Sequence, residues 1–175
     1  IGTARVAGVA FPIIALGLAA LTGRWQTVAV VATYIVITLA YTLRLKQVPV
    51  VDVVTVAAGF VLRAAAGAVA VDVPMSRWFV LCITFGSLFI VVGKRYAELN
   101  EVGDAAGTRA TLEVYSINYL RMILAVSLAG VLISYCAWAL ETSDVSTSSW
   151  PFYELSIVPM LMALMRYLLV LEEGG

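Results

Sequence analysis

Two short polar breaks in an otherwise apolar chain hold most of the residues able to do chemistry. The first contains Tyr41, Lys46 and Asp52, and the second contains Lys94, Arg95, Glu98, Arg109 and Tyr115. A hydrophobic out-and-back pair of segments separates them, so both breaks fall on the same side of a membrane. Together they gather several cations, two phenols and two carboxylates around one mouth. Cations and hydroxyls suit phosphate oxygens, and carboxylates can hold Mg²⁺ or orient arginine forks. Charge concentrated at one mouth of an apolar bundle points to an anionic substrate handled there.

Each of these residues also has a purely structural reading. Asp52 at a helix N-terminus is favoured by the macrodipole, and Lys94 and Glu98, spaced i,i+4, can pair on a helix surface. Arg63 follows Asp52 on the same segment, and at 3.6 residues per turn it returns to nearly the same face about 16 Å deeper, giving a charge path down one helix. An intramembrane arginine is either an interhelical structural partner or part of a cavity.

Hydrophobic residues make up 62% of the chain and charged residues 13%, with a mean hydropathy of +1.00, which lies outside the soluble range. The chain reads as an integral membrane protein. Its zero formal net charge and pI of about 6.4 offer no basic face or tail for nucleic acid. There is no histidine, which removes histidine metal sites and Ser/His or Cys/His catalysis from this chain. Cys82 and Cys136 each lie in an apolar run, so two packed free thiols are expected rather than a disulfide.

Positioning the two breaks takes about six spanning segments, roughly 6–22, 26–43, 50–71, 77–97, 117–140 and 150–171. They are long and continuous rather than short and alternating, which predicts a helical bundle and not a barrel. Pro12 and Pro159 fall inside spans and should kink them. Gly59, Gly67 and Ala64-Ala65-Ala66 should let the third helix approach its neighbours closely. Arg5, Arg44, Lys46, Lys94, Arg95 and Arg109 collect on one side, with Arg121 a turn into the fifth helix, while Arg24 and Arg77 lie on the other. The positive-inside rule makes the first side cytoplasmic. The connection over roughly 98–116, with Gly103 and Gly107, is long enough to cap the mouth, and the turn from Thr142 to Ser149 lies outside. The chain starts at Ile1 with no basic n-region and ends on Glu172-Glu173-Gly174-Gly175, read as the start of a soluble loop. The expectation is a piece of a longer protein, with residues 1–175 forming part of a single transmembrane domain.

The stretch Tyr41-Thr-Leu-Arg-Leu-Lys46-Gln-Val-Pro-Val-Val-Asp52, continued by Gly59-Phe-Val-Leu-Arg63-Ala-Ala-Ala-Gly67, resembles the UbiA prenyltransferase superfamily. So does Gly93-Lys94-Arg95-Tyr96-Ala-Glu98-Leu, followed by Arg109-Ala-Thr-Leu-Glu-Val-Tyr115. More narrowly, these segments resemble the branch that transfers phosphoribose to decaprenyl phosphate for cell-wall arabinan. The resemblance implies an all-α, polytopic membrane bundle of about nine helices, of which this chain would carry about six. It implies Mg²⁺ as cofactor, held with the donor's diphosphate by an upstream Asn-Asp-x-x-Asp-x-x-x-Asp motif that this chain lacks.

The reaction so implied is attack of a polyprenyl-phosphate oxygen on C1 of phosphoribosyl pyrophosphate, releasing diphosphate and leaving a lipid-linked 5-phosphoribose. In that reading Tyr41, Lys46 and Asp52 lie on the diphosphate and metal side. Lys94, Arg95 and Arg109 take phosphate groups, and Glu98 orients them or contacts ribose. Tyr115 and Arg63 complete the expected substrate-binding set. Ordinary members carry a second Asp-rich motif where this chain has Lys94-Arg95-Tyr-Ala-Glu98, a departure that favours the more heavily phosphorylated donor. The expected partners are phosphoribosyl pyrophosphate, a polyprenyl phosphate and the membrane, with a homo-oligomer left open. The expected place is the inner (plasma) membrane, with the site toward the cytoplasm. Two alternatives stay open on the sequence: a UbiA-type enzyme moving an isoprenyl group to an aromatic acceptor, and a small-molecule transporter, which would need a path to the far side.

Overall fold

The computed structural model describes residues 2–102, 114–145 and 150–173. Gly103, Gly107 and Arg109, which the sequence places in a cap over the mouth, lie outside the described residues. The described elements are helical: α1 (Gly2–Leu21), α2 (Trp25–Leu43), a 3₁₀ turn (Leu45–Gln47), α3 (Val51–Ala70), α4 (Arg77–Val102), α5 (Ile117–Val145), α6 (Phe152–Leu155) and α7 (Ile157–Glu173). Hydrocarbon offers the backbone no hydrogen-bond partners, so an apolar segment of this length satisfies its own N–H and C=O groups as a helix. Thr33, Thr38, Thr84, Ser87, Ser127 and Ser134 each donate a hydroxyl to the carbonyl four residues earlier. These hydroxyls therefore leave no donor dangling, whereas the buried Thr27 hydroxyl of α2 has no partner among the described residues.

Five stretches are long and apolar enough to cross a membrane: Trp25–Leu43, Val51–Ala70, Arg77–Asn100, Ile117–Val145 and Phe152–Glu173. Ala10–Leu21 of α1 is a shorter apolar helix. The chain is an all-α, polytopic membrane protein, as its sequence leads one to expect. Cys82 and Cys136 are both free thiols.

Local chemistry sets the boundaries. Ser76 and Ser116 cap α4 and α5, each accepting the N–H three residues on at 3.1 Å. Pro159 has no N–H and its ring crowds the Leu155 carbonyl four residues back, so the helix breaks at Ser156 into α6 and α7 rather than merely kinking. By contrast, α1 runs through Pro12 without interruption. Because α4 continues to Val102, Glu98 belongs to a helix and not to a connecting loop. Thr142 likewise lies within α5, which ends at Val145, and residues 146–149 are outside the described residues.

Consecutive helices pack together from α1 to α5, and α7 returns against both α4 and α5. The α5 residues Leu120, Leu124, Ser127, Val131 and Ser134 are buried. Their alternating steps of four and three follow the heptad spacing of a helix–helix seam. Phe89, Val92 and Tyr96 of α4 join Leu120 and Leu124 in the same core. Small residues permit this approach, but the two α3 glycines are not the tightest of them. A Cβ on Gly67 would meet nothing within 4 Å, and one on Gly59 would make ordinary contact with Tyr34 at 3.6 Å. The tight crossings are elsewhere: a Cβ on Gly130 would lie 2.4 Å from the Phe85 ring, and one on Gly93 would lie 2.8 Å from the Tyr167 hydroxyl.

Gly130→Ala is accordingly expected to cost about 1–3 kcal/mol through overpacking of the α4–α5 seam, whereas Gly67→Ala should leave stability unchanged or slightly raised. Thermal midpoints of the detergent-solubilised full-length variants check this, and equal midpoints for the two would refute it.

Candidate active site

The polar end of the bundle is built from the α2–α3 turn, the last turns of α4, the start of α5 and the last turn of α7. The two sequence breaks do meet there. Asp52 in the first turn of α3 is 1% exposed and Arg95 of α4 is 4% exposed. Their Oδ2 and Nε atoms lie 3.3 Å apart, an ion pair whose two facing atoms lack hydrogen-bond alignment. Arg95 Nη1 also donates to Glu98 Oε2 at 2.7 Å. The carboxylate of Glu98 thus pairs with Arg95 at i,i+3 and not with Lys94 as its spacing suggested, and Lys94 is exposed.

Tyr115 completes this cluster. Its hydroxyl donates to Asp52 Oδ1 at 2.7 Å and accepts the Val50 N–H. Val50 precedes α3 and has φ 67° and ψ −46°, and the Val51 N–H donates to the Pro49 carbonyl at 2.8 Å. This is a γ-turn with positive φ, an uncommon and costly backbone state for a β-branched residue. Val50 offers no side-chain cap to α3. The phenol of Tyr115, 65 residues later, accepts the Val50 N–H and so fixes the γ-turn between the Lys46-bearing 3₁₀ turn and α3.

A second group at the same end escaped the sequence reading. Tyr96 donates to Glu172 Oε1 at 2.9 Å and accepts from Arg121 Nη2 at 3.0 Å, with Arg121 and Glu172 3.6 Å apart. Glu172 lies in the last turn of α7, not in a loop. Tyr96 and Arg121 stood in segments already marked by charge, but only the return of α7 against α4 brings Glu172 to them. At the opposite end Arg24 pairs with Asp72.

The expected site residues therefore divide by exposure. Lys46 and Lys94 are exposed, and Tyr41 is half-buried. Asp52, Arg95 and Tyr115 are buried and brace one another in this arrangement. Arg109 lies outside the described residues. Arg63 does not continue a charge path from Asp52. It donates instead to the Tyr34 hydroxyl at 2.6 Å.

Mg²⁺ does not fit Asp52, because one carboxylate oxygen accepts from Tyr115 and the other faces the Arg95 guanidinium. Among the described residues, no three acidic, cysteine or histidine side chains are grouped to hold a metal ion.

Burial, reinforced by the hydrogen bond to Asp52 and its charge, pushes the Tyr115 phenol up to about 12 against the opposing pull of the Val50 N–H. An unfolded phenol loses its proton near pH 10, so the contribution of Tyr115 is complete below about pH 10 and is lost as pH rises toward 12. Tyr115→Phe should cost about 1–3 kcal/mol at neutral pH by leaving the Val50 N–H and Asp52 without their partner. It should also remove part of the alkaline destabilisation. Midpoints of both full-length proteins from about pH 8 to 11 test this, and parallel alkaline slopes would count against the assignment.

The UbiA prenyltransferase family model matches residues 1–174. The chain is 38% identical over 176 residues to a decaprenyl-phosphate phosphoribosyltransferase of Corynebacterium glutamicum, covering 99% of this chain and 53% of that protein. It is 38% identical over 173 residues to the protein of the same name from Mycolicibacterium smegmatis, covering 91% of this chain and 54% of the relative. A Mycobacterium tuberculosis protein of that name is 37% identical over 166 residues, covering 92% of this chain and 54% of its own length. The chain spans about half the length of these curated relatives. With a family match over nearly all its residues and helices disposed as described, the chain belongs to the UbiA prenyltransferase family.

Proposed function

We propose that this chain forms part of a membrane phosphoribosyltransferase that moves 5-phosphoribose from phosphoribosyl pyrophosphate to a polyprenyl phosphate such as decaprenyl phosphate. The observation that carries the reading is the polar mouth itself: Lys46 and Lys94 stand exposed around a buried Asp52–Arg95–Tyr115 brace, in a chain similar to proteins of that name. In the reaction a phosphate oxygen of the lipid forms a bond to C1 of the ribose while the bond from C1 to the diphosphate oxygen breaks. The nucleophile is already an anion, so no strong base is required. What the protein must supply is alignment of two phosphorylated reactants and compensation for charge gathering on the departing diphosphate.

Lys46 and Lys94 are suited to phosphate oxygens, with Tyr41 at the same mouth near Arg95; the role expected of Arg109 lies outside the described residues. Arg95, held by Asp52 and Glu98, keeps α4 and the Lys46 turn in register. Mg²⁺ belongs to this reading with ligands outside the described residues. The membrane in question is the inner membrane, and the mouth faces the cytoplasm, where a water-soluble donor is available.

Lys46→Ala should remove one charge-assisted phosphate contact, worth about 1.5–3 kcal/mol or one to two decades in catalytic efficiency, with little change in folded yield. The assay follows labelled phosphoribosyl pyrophosphate into the organic phase with the full-length protein, Mg²⁺ and a polyprenyl phosphate. Transfer of an isoprenyl group to an aromatic acceptor in place of ribose phosphate to lipid would reverse the assignment. For topology, a cysteine replacing Asp144 should label from outside intact cells in a background lacking Cys82 and Cys136, and one replacing Lys46 only after permeabilisation. The opposite pattern would place the mouth on the wrong side.

A further inference from the structure

Arg63 occupies the middle of a membrane-spanning helix, and among the described residues no carboxylate pairs with it. Its guanidinium lies over the Tyr34 and Phe60 rings, 5.0 Å from each centroid, and donates to the Tyr34 hydroxyl. At 1.5 Å per residue the far end of α3 is about 10 Å from residue 63 and the mouth end about 18 Å. Like other long helical side chains, that of Arg63 lies over the turn before its own, here over Phe60, and two aromatic faces hold it there. The protein keeps a positive charge at mid-span with ring faces and a phenol as partners, a costly arrangement unless an anion arrives.

A groove of about 220 Å³ between α2 and α3 adjoins this cation, with Thr38, Tyr41 and Thr55 among its polar lining. Tyr41 stands at the mouth end, close enough to Arg95 to interact electrostatically. The groove thus connects the polar mouth to a fixed cation whose charge no described residue neutralises. We propose that it is an anion subsite for a phosphate monoester, with Arg63 as the charge partner and the Tyr41 and Thr55 hydroxyls as its polar wall, the Thr38 hydroxyl being committed to the Tyr34 carbonyl. An arginine with one N–H engaged by Tyr34 keeps further donors for the terminal oxygens of such a group. The choice of ligand rests on the transferase reading, in which both substrates carry a phosphate monoester: the 5-phosphate of the donor and the headgroup of the lipid.

The test uses the full-length protein in detergent, with ribose 5-phosphate and geranyl phosphate as separate probes. One of them should raise the thermal midpoint of the wild type. Arg63→Gln, which can still donate to Tyr34 but has no charge, should abolish that rise, and Arg63→Lys should retain part of it. In turnover, Arg63→Gln should raise KM for the corresponding substrate about tenfold or more and leave the other KM unchanged, which tells the sugar phosphate from the lipid headgroup. Stabilisation of Arg63→Gln equal to wild type, or no stabilisation of the wild type by either probe, would overturn the subsite. Should the wild type bind a probe through Arg63 yet transfer no ribose phosphate, the subsite stands and the transferase reading falls. Normal turnover with both KM values unmoved in Arg63→Gln defeats the subsite alone.

Discussion

A carboxylate and a guanidinium shut away from water at the end of an apolar bundle constrain everything around them. Asp52 and Arg95 are each almost completely enclosed. Removal of Arg95 would strand the Asp52 carboxylate, at a cost of about 3–5 kcal/mol, whereas Arg95 without Asp52 would still hold Glu98. The pair therefore dictates how α3 and α4 meet. Tyr115 extends the constraint to α5, because its hydroxyl must serve Asp52 and the Val50 N–H together. Glu98 extends it along α4 by engaging the remaining face of Arg95.

This brace separates two kinds of charge that look alike in sequence. Arg95 and Lys94 are neighbours, yet one is enclosed and the other exposed. The enclosed charges supply geometry, and in the proposed reaction the exposed ones would meet the anionic reactants. Preorganisation of this sort matters most when both reactants are multiply charged, since cations held in place do not have to reorganise as charge moves to a leaving group. The Tyr96–Arg121–Glu172 group performs a comparable tie between α4, α5 and α7, so the polar end is closed by two neighbouring knots that share α4.

Most of the fold was legible in the sequence because the spans are long, apolar and separated by polar breaks, and hydrocarbon permits few alternatives to a helix. That Lys46 and Arg95 belong to one end followed from the same logic. What could not be read was rotation about helix axes. The spacing of Lys94, Arg95 and Glu98 allows two ion pairs, and only the placement of Asp52 against Arg95 selects between them. Gly67 and Gly130 are equivalent as letters, but the first faces open space and the second meets Phe85. Glu172 is close to the chain's end, and its role depends on α7 returning to α4, a contact that local pattern does not encode. The break at Ser156 was half visible, since Pro159 announces a disturbance without fixing its position.

The cap that Tyr115 provides to α3 has a consequence for biogenesis. Helices enter the bilayer in the order of synthesis, and at about 5–20 residues per second the hydroxyl that completes the Val50 turn emerges roughly 3–13 s after the turn itself, 65 residues upstream. Until then the Val50 N–H lacks its acceptor and Asp52 lacks the Tyr115 hydroxyl, although Arg95 has already been made. The α2–α3 hairpin is thus synthesised with its polar end unfinished, and the entrance to the bundle is completed only after α4 has been made.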